Sequence, residues 1–183
     1  MACRSIRWLW ASDAGPAPPQ PRDPASTLRP PPERPPWAPS EAFGVAVVHD
    51  PRLREKSYGE AGGRPQEWLD RRFVPPPAAG ERLEHDEGIE GAQTKAQWVR
   101  RVYEATEDIL RRPARQQIVV THGGTLTFVL AAWIGMPYEA TGYVSFRAPA
   151  GSITTLREDD WFHNRQIAAL GDTRRLLNPA ASP

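Results

Sequence analysis

Apolar residues recur every three or four positions beyond Thr94, and this spacing predicts one buried face of an α-helix. Arg111, Arg112 and Pro113 follow and predict the end of that helix. The apolar positions of the predicted face are Trp98, Val99, Val102, Ala105, Ile109 and Leu110.

The segments after this helix alternate between strand and helix patterns. Gln117–Thr121 predicts a buried strand, Gly123–Gly124 a turn, and Leu126–Ile134 an apolar helix. Residues 74–91 have the proline, glycine and mixed charge of a loop. Strands separated by helices indicate an α/β layered domain with some parallel pairing. Shorter runs predict further strands at Val45–Val48, Tyr143–Phe146, Ser152–Leu156 and Ile167–Leu170.

Proline divides the chain into two regions. Eleven of the 21 prolines lie in residues 1–40, and each one fixes φ and removes a backbone donor. We therefore expect residues 1–40 to be an extended or disordered tail without packed helix or sheet. Residues 41–178 are expected to form one domain.

Charge and cysteine content exclude several classes of protein. The 23 basic and 22 acidic residues give a formal net charge of +1, so the electrostatic footprint of a nucleic-acid binder is absent. The single cysteine, Cys3, excludes an internal disulfide and a thiolate metal cluster. The apolar stretch Trp8–Ala11 is too short for a signal peptide or a membrane span. We expect a cytoplasmic protein with no membrane contact, no cofactor and no metal.

His122 follows the predicted strand in the run IVVTHGGT. In open α/β sheets, ligands bind beyond the carboxyl ends of strands, where the next helix presents unpaired amide groups. Gly123 and Gly124 would let an anion approach the backbone, and Thr125 would cap the helix or donate its hydroxyl to a phosphate oxygen. The pattern predicts a phosphate-binding turn; the alternative is that His122 only fills the turn.

A second segment, LREKSYGEAGG at Leu53–Gly63, lies before this turn. With THGG it makes the chain resemble the histidine phosphatase superfamily, also called the phosphoglycerate mutase-like family. The resemblance continues through GIEGAQTKAQWVRRVYEA, GSITTLRED and ALGDTRRL and covers about residues 41–177. It implies a three-layer α/β/α sandwich with a mostly parallel sheet. It also implies a hydrolase, rather than a mutase, that cleaves a small phosphomonoester through a phosphohistidine.

The resemblance also implies roles for individual residues. His122 matches the second histidine of the family, which contacts the transferred phosphoryl group. Glu55 matches the proton donor to the leaving oxygen, and Tyr58 would line the substrate site. Without the resemblance, Glu55 is better interpreted as a surface carboxylate beside a neighbouring cation, and Tyr58 as a packing residue.

The attacking histidine of the family stands in an Arg-His-Gly motif, and this chain contains no such sequence. His49, His85 and His163 lie in turn or loop contexts. We therefore expect the first strand of the family and the helix after it to be missing. Unpaired strand edges and marginal stability would follow. Loss of one member of a cooperative catalytic set removes most of the activity, so phosphatase activity is expected to be very low or absent.

Two explanations of residues 1–40 stay open. GC-rich coding DNA read in a wrong frame yields proline, arginine, alanine, serine and tryptophan, much as in this segment. Alternatively, the chain is a non-catalytic protein that keeps a phosphate pocket and binds a partner weakly through the polyproline pattern of Arg29, Pro32 and Pro35. A third hypothesis is an unrelated α/β domain whose glycine turn holds a cofactor phosphate.

Overall fold

The computed structural model describes residues 4–10, 44 and 46–174. The chain divides into two compact units, one of Met1–Ser12 with Arg52–Pro183 and one of Asp13–Pro51. All strands and α-helices given below belong to the first unit. Cys3, the polyproline pattern and the segment after the first strand, where a family helix is expected to be missing, lie outside the described residues, so the predictions made on them stay predictions.

Four strands form one mixed sheet in the order β2-β1-β3-β4. β1 is parallel to β2 and antiparallel to β3, and β3 is antiparallel to β4. The prediction of helices mixed with strands is confirmed, whereas the expectation of a mostly parallel sheet is wrong for the described strands. The strands are β1 (Arg4–Trp10), β2 (Gln116–Thr121), β3 (Ile153–Glu158) and β4 (Arg165–Asp172).

Strand β1 corrects two expectations, namely that residues 1–40 hold no sheet and that the sheet lacks an internal strand. It lies between β2 and β3, so neither of these strands is left with a free edge on that side. The prediction was wrong because the proline content of all 40 residues was applied to the first ten, which contain no proline. Aromatic and β-branched residues in RSIRWLW favour a strand. The structural argument for marginal stability is thereby removed.

In the described part of the chain, three α-helices accompany the sheet, and the helix predicted beyond Thr94 is confirmed. Thr94 caps α2 at its N-terminus, where its side chain accepts from the Gln97 amide and the Gln97 side chain accepts from the Thr94 amide. The predicted apolar face is buried at Val99, Val102, Ala105 and Ile109, whereas Trp98 and Leu110 are partly exposed. The helices are α1 (Gln66–Asp70), α2 (Lys95–Arg111) and α3 (Gly123–Trp133), and 3₁₀ turns occupy Pro51–Leu53, Gly59–Ala61 and Tyr138–Tyr143.

The core lies where α2 and α3 meet the sheet, and α3 is buried along most of its length. The predicted strands that became β3 and β4 and the loop over residues 74–91 are also confirmed. None of the described helices combines the length and the apolar character needed to cross a bilayer. The largest side chains removed from solvent are Trp133, Leu126, Leu130, Leu156, Val99 and Val102.

Three short predictions are wrong. Residues 46–48 of the expected strand Val45–Val48 have no regular structure and are exposed, and Tyr143–Phe146 is not a strand. Gly123–Gly124 forms the first turn of α3 instead of a separate turn. The prediction of a buried β2 holds for one face only: Val119 and Thr121 are buried, whereas Ile118 and Val120, which alternate with them, are exposed.

Candidate functional site

The carboxyl ends of β1 and β2 lie side by side, with Trp10 opposite Thr121. His122 follows at this edge and is the N-cap residue of α3, with an extended backbone (φ −93°, ψ 160°). Its carbonyl accepts the amide hydrogen of Leu126 at 2.8 Å. The partly exposed His122 therefore stands at the strand end, as the sequence predicts.

Glu55 reaches the same helix terminus from a distant part of the chain. Its Oε2 accepts a hydrogen bond from the Gly124 amide at 3.1 Å, and its Oε1 accepts one from the Lys56 amide at 3.1 Å. The N-terminus of a helix carries partial positive charge and favours an anion there. The structure thus brings the Glu55 carboxylate next to the turn that carries His122. Glu55 and His122 are the two residues that the sequence singled out for chemistry.

Gly124 is required by packing against Glu55. A Cβ at this position would lie 2.5 Å from Cη2 of Trp98 and 2.7 Å from Oε1 of Glu55, and no real contact is that short. The Gly124 amide already donates to Glu55, so it does not serve an incoming anion as the sequence suggested. Gly123 is the first residue of α3 and is partly exposed, so its role as a phosphate contact stays a prediction.

Thr125 corrects another expectation. The residue is fully buried, and its hydroxyl donates to the Arg54 carbonyl at 2.8 Å while accepting from Nε1 of Trp98 at 3.1 Å. It neither caps α3 nor has a hydrogen left for a phosphate oxygen. The cause is the close packing of the Glu55 segment on the start of α3, which no local sequence pattern reveals.

Arg101 on α2 holds the Glu55 segment in place. Its Nη1 donates to the carbonyls of Arg52 (2.5 Å) and Arg54 (2.8 Å), and its Nη2 donates to the carbonyl of Glu55 (2.9 Å). The guanidinium also donates to Oε1 of Gln93. Burial, together with the charge of Arg54, lowers the pKa of Arg101 to about 10. We call this set of contacts the Arg101 latch.

Sequence reasoning missed the Arg101 latch. The one available signal was position, because Arg101 follows Trp98 by three residues and therefore borders the buried face of α2. Three of the acceptors are backbone carbonyls. Every residue has a backbone carbonyl, so the sequence gives no sign of which residues Arg101 contacts. A charged residue at the edge of an apolar helix face is otherwise typical of an ordinary solvated surface.

Tyr58 lies beside the Glu55 carboxylate, although almost half of the residue is exposed (47%). Partial burial and the negative charges of Glu55 and Glu87 raise the pKa of Tyr58. The buried ammonium group of Lys56 pairs with Glu87 and lies 5.7 Å from the centre of the Tyr58 ring. Gly59 has φ 54°, and a Cβ there would collide with the backbone of Glu90. Tyr58 is therefore a partly exposed neighbour of the Glu55 carboxylate.

The other histidines have different surroundings. His163 lies in the turn between β3 and β4, with φ 56°. Because β3 runs antiparallel to β1, this turn is at the end of the sheet opposite His122. His85 has its Nε2 2.8 Å from the Val74 carbonyl oxygen, and His49 belongs to the other unit. Within the described ranges, no group of three histidine, cysteine, aspartate or glutamate residues could hold a metal ion.

Comparison with protein families gives one match over most of the chain. The model of the "Histidine phosphatase superfamily (branch 1)" matches residues 38–169. Among curated proteins, "Probable phosphoglycerate mutase GpmB" of Yersinia pestis (strain Pestoides F) is 30% identical over 148 residues. The match covers 77% of this chain and 66% of that protein, so the chain spans slightly less than two thirds of the relative.

Solved structures show the same fold at low sequence identity. The protein of open reading frame Rv3214 from Mycobacterium tuberculosis is 21% identical with a TM-score of 0.51, covering 73% of this chain and 65% of that one. A mycobacterial glucosyl-3-phosphoglycerate phosphatase, Rv2419c, is 20% identical with a TM-score of 0.51, covering 73% and 69%. These matches confirm the phosphoglycerate mutase-like α/β fold that the sequence predicts.

Proposed function

Because the chain belongs to the histidine phosphatase superfamily (branch 1), we propose that it binds small phosphomonoesters at the end of β2 and hydrolyses them very slowly or not at all. The observation that carries the proposal is the contact between Glu55 and the start of α3, which brings the Glu55 carboxylate next to the turn of His122. These are the two groups that the family resemblance assigns to the phosphoryl group and the leaving oxygen.

The proposed division of labour follows from the geometry. His122 donates a ring N–H to a phosphoryl oxygen, and the positive end of α3 adds favourable electrostatic energy for the phosphate dianion. Glu55 is oriented by the two amide groups that donate to its carboxylate and by the Arg101 latch behind it. From this position it would give a proton to the leaving oxygen of a bound ester.

Slow turnover follows from the missing nucleophile. The chain has no Arg-His-Gly sequence, and the turn that carries His163 lies at the wrong end of the sheet. A catalytic set that loses one cooperating member keeps only the part of the rate that binding and charge stabilisation supply. We expect turnover at least about 10³-fold below that of an ordinary enzyme.

Hydrolysis is proposed over mutase chemistry. A mutase must keep a phosphorylated intermediate away from water until a second hydroxyl arrives. Tyr58, at the rim of the proposed site, is 47% exposed, and such access favours water as the acceptor. Measuring inorganic phosphate and phosphorylated alcohol after incubation with an added alcohol would check this. Released inorganic phosphate is expected, and phosphoryl transfer to the alcohol would contradict the proposal.

The test uses the full chain. Orthovanadate and inorganic phosphate binding are measured by calorimetry, and p-nitrophenyl phosphate hydrolysis is measured in parallel. His122→Ala is expected to weaken anion binding at least tenfold, whereas His163→Ala, a matched exposed histidine at the other end of the sheet, leaves it unchanged. Glu55→Gln is expected to abolish any residual hydrolysis while anion binding persists.

Two results would count against the proposal. If His122→Ala leaves anion binding intact, the anion does not bind at the end of β2. Turnover above about 1 s⁻¹, the lower end of ordinary enzyme rates, that disappears in both His122→Ala and Glu55→Ala would refute the slow-turnover part.

A further inference from the structure

Strand β2 forms one edge of the described sheet, where β1 is its neighbour on the inner side. It pairs with β1 in a continuous register without a bulge, and its sequence, QQIVVT, has no charged residue and no proline. Natural proteins protect sheet edges with charges, prolines or bulges, because a row of unpaired N–H and C=O groups pairs readily with another chain. Within the part of the chain that the structure describes, the outer edge of β2 has none of these protections.

The opposite edge of the sheet, at β4, is protected in three ways. Register shifts interrupt the pairing of β4 with β3, and irregularities of this kind turn an edge strand away from a neighbour. The Trp133 indole donates to the Gln166 carbonyl at 3.2 Å, so part of the β4 backbone is already occupied. Charged residues, Arg165 and Asp172, stand at the two ends of β4. An association through β2 would therefore close at two copies and would not extend into a filament.

A second copy of the chain fits the outer edge of β2 by two-fold symmetry. Residues opposite each other in an antiparallel pair point to the same face, and a two-fold axis perpendicular to the sheet keeps the helix-covered face common to both copies. Such pairing is centred on one residue, and a centre at Ile118 or Val119 pairs most of β2. The exposed side chains of Ile118 (42%) and Val120 (43%) would then cluster with those of the partner subunit. Neither centre places like charges opposite each other.

This antiparallel pairing brings Arg115 of the partner subunit to the phosphoryl site. Arg115 precedes β2 and His122 follows it, so within one copy the two residues lie about 20 Å apart along the strand. With either centre, Arg115 of the partner subunit lies opposite Thr121 or Gly123, the two neighbours of His122 in the chain. Paired strands are ~5 Å apart, a distance that an arginine side chain spans.

The phosphoryl site can use this cation. A phosphate dianion at the site would lie beside the Glu55 carboxylate. Two cations near Glu55 are already engaged, since Arg101 donates to backbone carbonyls and Lys56 pairs with Glu87. Arg115 is exposed, and among the described residues its side chain forms no ion pair. A guanidinium offers two parallel N–H donors that match two phosphate oxygens.

We propose that two copies of the chain pair through β2 and that Arg115 of the partner subunit binds the phosphoryl group held at His122. This inference rests on the proposed function, because it adds a cation to the same site. Each dimer carries two equivalent sites, and each site combines the carboxyl end of one β2 with the residue that precedes the other β2. Tight anion binding therefore requires the dimer.

The first test measures the oligomeric state of the full chain by sedimentation. The parent is expected to be a dimer. Ile118→Lys combined with Val120→Lys is expected to give a monomer, because either centre places lysines opposite each other. Leu170→Lys, a matched control at an equally exposed position of β4 (42%), is expected to stay dimeric. Thermal melts report folding of all three proteins. A parent chain that is monomeric at about 0.1 mM, a concentration that would populate all but weak complexes, would overturn the inference.

The second test measures orthovanadate binding to the dimer by calorimetry. Arg115→Gln is expected to leave the dimer intact and to weaken binding at least tenfold. Arg157→Gln, which removes an exposed arginine at the opposite end of the sheet, is expected to leave binding unchanged. Because Arg115 and His122 of one copy are about 20 Å apart, a loss of binding in Arg115→Gln reports a contact across the dimer. Unchanged binding would overturn the role of Arg115.

Mixed dimers assign Arg115 and His122 to different subunits. Co-expression of Arg115→Gln and His122→Ala with two affinity tags isolates dimers that contain one copy of each. In such a dimer about half of the sites join the His122 of one copy to the Arg115 of the other. Orthovanadate binding with parent affinity is expected to return at that stoichiometry, although each variant alone binds weakly. Failure to recover binding would overturn the proposal that Arg115 acts across the dimer.

The outcomes separate this inference from the proposed function. A monomer that binds orthovanadate through His122 would overturn the β2 pairing and leave the phosphoryl site standing. A β2 dimer that binds no orthovanadate would overturn the proposed function together with the role of Arg115, while the pairing itself would stand.

Discussion

Arg101 and Arg82 illustrate two uses of the same side chain. Arg101 donates to three backbone carbonyls and to Gln93, and all of these acceptors belong to the chain itself. Arg82 stacks on Tyr143, but among the described residues its buried Nε finds no acceptor. Because folded proteins satisfy nearly all of their buried polar groups, the first arrangement stabilises the fold, whereas the second leaves a buried donor uncompensated.

The contrast extends along α2, which carries both kinds of residue. Two turns into the helix, the Arg101 latch fixes the Glu55 segment. At its first residue, Lys95 meets other positive charges and the positive end of the helix. Substitutions at the Arg101 latch should therefore cost much more stability than substitutions at Lys95.

The largest expected effect is at the Arg101 latch. Arg101→Met is expected to lower the free energy of unfolding by about 3 kcal/mol, since three carbonyls lose a charged donor. Arg82→Met is expected to change it by less than about 1 kcal/mol. Urea unfolding of both variants would measure the difference, and equal costs would remove the distinction between the two arginines.

Gly124, at the start of α3, gives the next test of the packing around Glu55. Alanine favours a helix over glycine by about 1 kcal/mol, but the overlap with Trp98 and Glu55 is expected to outweigh this gain. Gly124→Ala should therefore destabilise the protein by about 2 kcal/mol. In a double-mutant cycle with Trp98→Leu, the double variant should lose less stability than the sum of the two single losses. Additive effects would mean that the overlap does not determine the cost.

The raised pKa of Tyr103 on α2 predicts that the free energy of unfolding depends on pH. Its hydroxyl donates to the Met136 carbonyl at 3.0 Å, and burial, with the charge of Glu139, raises the pKa of Tyr103 to about 12. Below pH 10 the phenol is neutral in both the folded and the unfolded state. Between pH 10 and 12 only the unfolded state ionises readily, so this contribution to stability is lost as the pH rises.

Melts at pH 8 and pH 11 would measure that contribution. Tyr103 is partly exposed, and we therefore expect a loss of about 1 kcal/mol over this window rather than the full value of the pKa shift. Tyr103→Phe should lose less stability over the same window than the parent does. Identical pH dependences would exclude Tyr103 as the cause.

The smallest expected effect has the opposite sign. Lys95→Gln removes a cation from the first residue of α2 and is expected to raise the free energy of unfolding by about 0.5 kcal/mol. Gln97→Lys, which adds a cation to the same helix terminus, should lower it and also weaken the Thr94 cap. Chemical denaturation would check both, and a clear loss of stability in Lys95→Gln would mean that the contacts of Lys95 outweigh its repulsion from the helix N-terminus.

The helix periodicity and the paired motifs predicted much of this molecule. Apolar spacing located α2, and the order of the Glu55 segment and the His122 turn located the two residues that the fold brings together. Thr125 and Arg101 could not be assigned, because their partners are carbonyls supplied by distant backbone. β1 was missed because a neighbouring proline-rich composition masked a seven-residue strand pattern.

Strand β1 has a consequence for the order of folding. It is synthesised before the other described strands, and its two partners, β2 and β3, follow more than a hundred residues later. A pairing of such long sequence separation has a high loop-closure cost and forms late. During translation β1 therefore stays unpaired until β2 and β3 have been synthesised. A nascent chain stalled before β3 would expose one unpaired edge of this aromatic strand, and chaperones bind exposed surfaces of this kind.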